Sequence, residues 1–443
     1  LTQSDLTTTL SNPEKNTVSF ISLGCAKNTV ITEKIAHLFS EKGYRVIPES
    51  QETSLLVINS CGFLEAAREE AVIVIQDCLS TFSIPPHQII VLGCLAYRFP
   101  ERLRKQFPSI TILPQQDPLE AANTFLSSSS PINNPIQRIL TTPYCAYLRI
   151  AQGCNRNCAY CLIPSIKGNY KSFTSISLIE ECKYLSDKYQ IKEIVLIAQD
   201  TSLYGHDLRS GENLYTLTQQ IANTNLFTWI RILYLYPHIS YDTLKKILSI
   251  PTVVPYLDMP LQHLHPDILK KMNRPSDALS YLEKIYTLKS DFPFMTFRST
   301  FIVGYPGETE SHFSFLLQAL EKYPLDRVGF FAYSREKETA SDSQLNHVPE
   351  SIKQRRLIEA YDHQILISQK LDLSYISKTI PVLLENYDSF SRNAIGRSIR
   401  EAPDVDPIVH VYGNPFRLQK RIGSIVNCTI TQVTKSGFTA EIQ

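Results

Sequence analysis

The stretch Ile150-Ala-Gln-Gly-Cys154-Asn-Arg-Asn-Cys158-Ala-Tyr-Cys161-Leu-Ile-Pro164 decides how this chain is read. It sets three cysteines in a C-x3-C-x2-C loop directly after a short apolar run. Three thiolates so spaced can hold three irons of a [4Fe–4S] cube and leave the fourth iron open to a substrate. Iron–sulfur clusters normally take four thiolates, so a three-cysteine loop points to a catalytic cluster. Gly153 lets the chain turn tightly out of the preceding strand. The neighbouring Asn residues tolerate strained loop geometry and can donate hydrogen bonds near the sulfurs. Zinc is the competing occupant. Structural zinc usually takes four Cys or His ligands, and the 20 residues after Cys161 contain neither type. A disulfide framework fits worse, because three is odd and the chain is not a small secreted domain.

Upstream of this loop the chain alternates β-prone and helical segments. Val18–Leu23, Leu55–Ile58 and Ile89–Leu92 are short apolar runs, separated by helical patterns over Val30–Lys42 and Glu65–Leu79. That rhythm predicts βαβ units and a parallel sheet. Each strand ends just before a cysteine, at Cys25, Cys61 and Cys94. Open parallel sheets bind ligands outside the carboxyl ends of their strands. Three thiols delivered to that edge therefore suggest a second shared metal site with three ligands. The alternative is three small buried residues, since free Cys is commonly buried. Cys78, Cys145, Cys182 and Cys428 lack such placement and read as structural. From Leu113 to Pro143 the prolines and the Ser127–Ser130 run break regular elements, which predicts a linker with one helical turn near Leu119–Phe125.

Downstream, six candidate strands recur: Tyr147–Ala151, Glu193–Ala198, Trp229–Tyr234, Val254–Met259, Thr296–Val303 and Arg327–Tyr333. Helical patterns between them predict a partial or complete parallel barrel. The cysteine loop follows the first of these strands, at the face where barrel enzymes keep their sites. Other polar groups share that face: Gln199-Asp200-Thr201, Asp258, Gln262-His263 and the turn Gly304-Tyr-Pro-Gly-Glu308. The two glycines of the turn allow close backbone approach to a ligand, or they simply make a strand-to-helix turn. Glu308 also suits the first turn of a helix. Arg298, inside the fifth strand, suits either a ligand carboxylate or a neighbouring acid. Pro349–Leu373 reads as one long polar helix with proline at its first position. Five short strands then follow, Thr379–Glu385, Ala394–Ser398, Ile408–Tyr412, Gly423–Thr431 and Phe438–Ile442. They predict a small antiparallel, OB-like barrel.

A length of 443 residues suggests about three domains. With 44 basic against 43 acidic residues, overall charge gives no sign of nucleic-acid binding. The C-terminal module, with eight basic and seven acidic residues from Leu371 onward, is equally balanced, so a protein target is at least as plausible as RNA. No run of 18 apolar residues suggests a membrane span. The first residues, Leu-Thr-Gln-Ser-Asp-Leu-Thr, lack a secretory pattern. The expected location is cytoplasmic, where ten cysteines, several of them in short motifs, mean metal chemistry.

These residues together resemble the radical S-adenosylmethionine (SAM) methylthiotransferases over nearly the whole chain. Within that family the closest resemblance is to the branch that modifies ribosomal protein uS12. It is carried by Ser22-Leu-Gly-Cys-Ala-Lys-Asn28, Asn59-Ser-Cys-Gly-Phe-Leu-Glu65, Gly93-Cys-Leu-Ala96, the Cys154 loop, Gln199-Asp-Thr-Ser202, Pro260-Leu-Gln-His263 and Arg298–Thr309. Val30-Ile-Thr-Glu33 and Lys167–Phe173 depart from the family pattern. The resemblance implies an α/β fold with an amino-terminal methylthiotransferase domain (16–126), a linker (127–143), a radical SAM core and following helix (144–373), and a TRAM domain (374–443). It implies two [4Fe–4S] clusters, an auxiliary one on Cys25, Cys61 and Cys94 and a radical SAM one on Cys154, Cys158 and Cys161. SAM would meet Tyr160, Gln199, Arg298, Gly304, Pro306 and Gly307. SAM cleavage would give a 5′-deoxyadenosyl radical that takes hydrogen from the β-carbon of a uS12 aspartate, and the auxiliary cluster would supply the methylated sulfur. An electron donor such as flavodoxin or ferredoxin is implied as well. The alternatives are the same chemistry on a tRNA adenosine, and a non-catalytic iron–sulfur scaffold on the ribosome.

Overall fold

A computed structural model describes residues 16–126 and 136–443. The Ser127–Ser130 run, Pro131 and Pro135 of the expected linker, and the first 15 residues, lie outside the described residues. The chain forms two compact units. One takes in the residues up to Thr141 together with Leu162–Asn169; the other comprises Thr142–Cys161 and Tyr170–Gln443.

The first unit is built on a five-stranded parallel sheet ordered β2-β1-β3-β4-β5, with β1 Thr17–Ser22, β2 Arg45–Val46, β3 Leu55–Ser60, β4 Ile89–Gly93 and β5 Thr111–Ile112. Every residue of β3 and β4 is buried, as expected where helices cover both faces of a parallel sheet. The two short edge strands carry too few apolar residues to stand out in the sequence. The expected helical turn near Leu119 is the helix Pro118–Phe125, capped by Asp117 accepting from the Leu119 amide, and its Ala122 packs on Val18, Val57 and Phe39. The end of the supposed linker is likewise part of this unit. Arg138 is fully buried against Glu33 at 2.8 Å, and the Thr141 amide donates to the same carboxylate at 3.1 Å. Burial pushes the Glu33 carboxyl above its usual range despite the Arg138 charge.

The second unit contains two three-stranded parallel sheets, β6-β9-β10 and β11-β12-β13, comprising Cys145–Arg149, Glu193–Ile197, Trp229–Ile232, Tyr256–Asp258, Thr296–Val303 and Arg327–Ala332. A parallel bridge from Ile230 to Val253 links their adjoining edges, so the six expected strands make a partial barrel. Between β6 and β9 a small hairpin pairs β7 Ala151–Gln152 with β8 Lys171–Ser172. The long helix begins at Glu350, one residue after Pro349, which stands at the N-cap and not at the first helical position.

Thr379–Asp388, Asn393–Ser398, Ile408–Tyr412, Ile425–Thr434 and Gly437–Ile442 form β14 to β18 of a closed barrel ordered β14-β15-β16-β18-β17. It is not wholly antiparallel: β16 and β18 run parallel. This barrel belongs to the same compact unit as the central sheets, to which the 398–406 loop ties it. Arg231, on β10, donates to the carbonyls of Ser398 and Ile399. The Tyr147 hydroxyl donates to Asp404 at 2.7 Å and that of Tyr256 to Asp406 at 2.5 Å. Arg400 is fully buried beside Asp326 and Asp372. Glu193, Tyr256 and Arg327 are first residues of their strands, so the loop closes the amino-terminal end of the sheets.

Candidate functional site

The first candidate site lies at the carboxyl edge of the sheet of the first unit. Ser22 pairs with Asn59 and Ser60 with Gly93, so the chain segments bearing Cys25, Cys61 and Cys94 leave adjacent strands side by side. Cys25 is the N-cap of the helix Ala26–Glu41, and its carbonyl accepts from the Asn28 amide at 2.7 Å. Asn28 holds the turn by donating from its side chain to the Leu23 carbonyl. Asn59 reaches across to the Asn28 carbonyl and Thr32 hydroxyl at 3.2 and 3.0 Å. The segments are packed so tightly that a Cβ on Gly24 would meet the Cys61 sulfur at 2.9 Å. Cys94 packs with Phe63, Leu162 and Ile166.

The thiols of this triad influence one another. Burial pushes the Cys61 thiol up to about 11, with the Cys94 and Cys25 sulfurs adding to the rise. At Cys25, desolvation also works against ionisation, but Lys27, the Asn28 and Lys27 amides and Lys167 outweigh it and hold the thiol below its ordinary range. A cationic metal group among these sulfurs would favour the deprotonated form that ligation requires. The donor set therefore fits the implied cluster.

The second candidate site is the loop Gly153–Cys161 between β7 and β8. Gly153 has φ +73°, as its place after the strand requires. Cys154 is buried, while Cys158 and Cys161 are half-buried. The Arg156 amide donates to the Cys154 sulfur at 3.4 Å, and Asn155 accepts from the Tyr170 amide. Burial raises the Cys154 thiol, against the pull of Arg156. The loop is fastened from outside. Ala159 donates to the Met272 carbonyl at 2.9 Å, and the Asn157 carbonyl accepts from Asn273 at 2.7 Å. Arg274 reaches 3.9 Å from the Cys158 sulfur. Arg156 pairs with Asp200 at 2.9 Å. The ring of Tyr236 lies between the two guanidiniums, 3.9 Å from Arg156 and 4.2 Å from Arg274.

The remaining expected residues are distributed as follows. Tyr160 packs against Ile268, Met272, Tyr305 and Tyr333, the packing role open to it beneath the loop. Gln199 is half-buried two residues after the end of β9. Arg298 takes the structural alternative: it pairs with Asp258 at 2.9 Å and approaches Asp406 at 3.7 Å. The turn glycines are used by the chain itself. A Cβ on Gly304 would run into the Lys353 side chain, and one on Gly307 into the Lys271 ammonium. Pro306 is buried between them. Glu308 is not a helix-dipole residue: it accepts from the Gly304 amide at 3.0 Å and pairs with Arg356 at 2.8 Å. His263 is fully buried and accepts from the His265 amide, with its other nitrogen 3.6 Å from Glu308. The sequence reading missed Arg274, Asn273 and Tyr236. Asn273, next to a lysine-rich helix end, is the sign that could have marked this segment, since it adopts the left-handed φ (+53°) common after helices.

Three family models match separate stretches of the chain. Residues 17–114 match the Uncharacterized protein family UPF0004, residues 148–320 the Radical SAM superfamily and residues 376–442 the TRAM domain. The chain is 36% identical over 415 residues to the ribosomal protein uS12 methylthiotransferase RimO of Clostridioides difficile (strain 630), covering 89% of this chain and 92% of that one. It is 35% identical over 442 residues to the RimO of Thermoanaerobacter sp. (strain X514), covering 96% and 99%. Among solved structures, the radical SAM methyltransferase TsrM from Kitasatospora setae, with cobalamin and a [4Fe-4S] cluster bound, aligns with a TM-score of 0.51 at 12% identity over 74% of this chain and 77% of that one; this likeness concerns the fold alone. The chain belongs to the RimO family of ribosomal protein uS12 methylthiotransferases, within the radical SAM superfamily.

Proposed function

We propose that this chain inserts a methylthio group at the β-carbon of an aspartate of ribosomal protein uS12, using two [4Fe–4S] clusters, one on Cys25, Cys61 and Cys94 and one on Cys154, Cys158 and Cys161. The observation that carries this is the pair of three-cysteine sets, one following three adjacent parallel strands and one in the loop after β7, each one thiolate short of a closed cluster. When bound, the clusters and SAM supply a radical that removes hydrogen from carbon and a sulfur to replace it. The chain's own residues hold and enclose these groups. Asn28 and Asn59 fix the turn at Cys25, and Lys27 favours its thiolate. The Arg156 amide donates to the Cys154 sulfur, and Asn273 fixes the loop backbone at the Asn157 carbonyl. We assign the SAM contacts to Tyr160 and Gln199, which belong to segments following β7 and β9. Gly304, Pro306 and Gly307 shape that edge through Lys353 and Lys271, and Arg298 acts by fixing Asp258. A small electron-transfer protein of the flavodoxin or ferredoxin kind supplies the reducing electron.

Two measurements test this. In anaerobically reconstituted protein, Cys158→Ala abolishes formation of 5′-deoxyadenosine from SAM. Cys61→Ala spares that cleavage and stops methylthio transfer. Equal loss of both activities in Cys61→Ala, with the Cys154 loop still holding its cluster, contradicts the division of labour. Mass analysis of uS12 and tRNA from cells lacking the gene fixes the substrate: the methylthio group disappears from uS12, and disappearance from tRNA alone would replace the proposal with the adenosine reaction.

A further inference from the structure

We propose that Arg274 is a positioning residue for the Cys154 loop, and that its fixed positive charge raises the reduction potential of the group held there. The inference rests on the functional reading above, in which Cys154, Cys158 and Cys161 hold an iron–sulfur cluster. Three consecutive residues after the helix Pro266–Lys271 touch the loop. The Met272 carbonyl accepts from Ala159 at 2.9 Å, Asn273 donates to the Asn157 carbonyl at 2.7 Å, and Arg274 reaches the Cys158 sulfur at 3.9 Å. The segment is itself anchored, because the Arg274 amide donates to the Leu269 carbonyl at 2.9 Å.

The charge count around the loop is uneven. Two guanidiniums flank the Tyr236 ring, Arg156 at 3.9 Å and Arg274 at 4.2 Å. Asp200 neutralises Arg156 at 2.9 Å. Among the described residues Arg274 has no carboxylate partner. Its second hydrogen bond goes to the neutral carbonyl of Pro260, and its Nε is buried without any partner. A half-buried guanidinium without a counter-ion is costly, and the anionic group it faces is the three-thiolate set. Net charge and hydrogen bonds at the sulfurs are the means by which a protein sets a cluster's potential. A cation at this distance, in partly desolvated surroundings, stabilises the state with one more electron. Arginine suits the position because its planar fork stacks on Tyr236 while still donating to both the sulfur and the Pro260 carbonyl.

The test is an EPR-monitored redox titration of the anaerobically reconstituted full chain carrying Cys25→Ala, Cys61→Ala and Cys94→Ala, so that one cluster is read, with iron and sulfide counted in parallel. Arg274→Gln lowers the reduced-to-oxidised ratio at fixed potential about tenfold, which is roughly 59 mV for a one-electron couple. Arg274→Lys, which keeps the cation but withdraws it from the sulfur, gives an intermediate shift. A loaded Arg274→Gln protein with unchanged potential overturns the proposal. If Arg274→Gln loads no iron, Arg274→Lys decides: an intermediate potential supports the proposal and an unshifted one overturns it. A parent protein that loads no cluster on the Cys154 loop would instead sink the functional reading on which the inference rests.

Discussion

Gly93 shows what the first cysteine set demands of single residues. It leads into Cys94 with φ +93°, and a Cβ there would clash with the Asn59 amide oxygen and lie 2.6 Å from the Ser60 carbonyl. Both neighbours belong to β3, the strand that delivers Cys61. Gly93→Ala therefore costs both left-handed strain and a forced shift of β3, about 3 kcal/mol together. Gly43, at φ +85°, has nothing within 4 Å of such a Cβ, and Gly43→Ala costs only the strain, about 1 kcal/mol. Urea unfolding of the two variants measures the difference. Iron content of the Gly93→Ala protein should fall further than that of Gly43→Ala, because the strain bears directly on the cysteine edge.

At the scale of elements, the helix Glu350–Leu373 is the instructive case. Its sequence is rich in Lys, Arg, Glu and Gln, residues that mostly stay in water. Yet Lys353, Arg356, Ala360 and Gln364 are buried, at the three- and four-residue spacing of one helical face. Each polar member finds a fixed partner: Lys353 donates to the Tyr333 carbonyl, Arg356 to Glu308 and Gln364 to the Leu325 carbonyl. The helix thus braces the Gly304–Glu308 turn from behind. Arg356→Leu leaves the fully buried Glu308 side chain without its guanidinium, at a cost of about 3–5 kcal/mol. The denaturant midpoint should drop accordingly, and hydrogen exchange at the Gly304 amide, which donates to that carboxylate, should speed up more than exchange in β9.

Over the whole second unit, the C-terminal barrel is joined to the sheets by buried charge. Glu193 accepts from Arg231 and Arg397, each at 2.6 Å, and Asp326 lies at 2.7 Å from Lys289 and 3.5 Å from Arg400. Burial alone would raise both carboxyls. The surrounding cations outweigh it and hold both below their ordinary values of 4.5 and 3.8. A depressed folded-state value means stability that is present above the unfolded value and lost as pH falls through the folded one. The second unit should therefore loosen below about pH 4. Asp326→Asn should lower stability at pH 7 by about 3 kcal/mol and flatten the acid limb of a urea-midpoint-against-pH curve. A wild-type curve flat from pH 7 to 3 would contradict this.

The sequence by itself determined most of the longer elements and set out the two three-cysteine groups. Apolar runs of strand length and cysteines at strand ends are local patterns, and Thr296–Val303, for example, has the bounds its residues suggest. Only the tertiary structure decided where the charged residues go. Arg298 turned to Asp258, Glu308 to Arg356, and Arg274 to the cysteine loop. Leu162–Asn169, adjoining the last cysteine, went to the first unit. The physical reason is range. Strand and helix follow from neighbours a few residues apart, whereas a long charged side chain settles by desolvation against partners tens to hundreds of residues away, and its sequence neighbours carry no record of them.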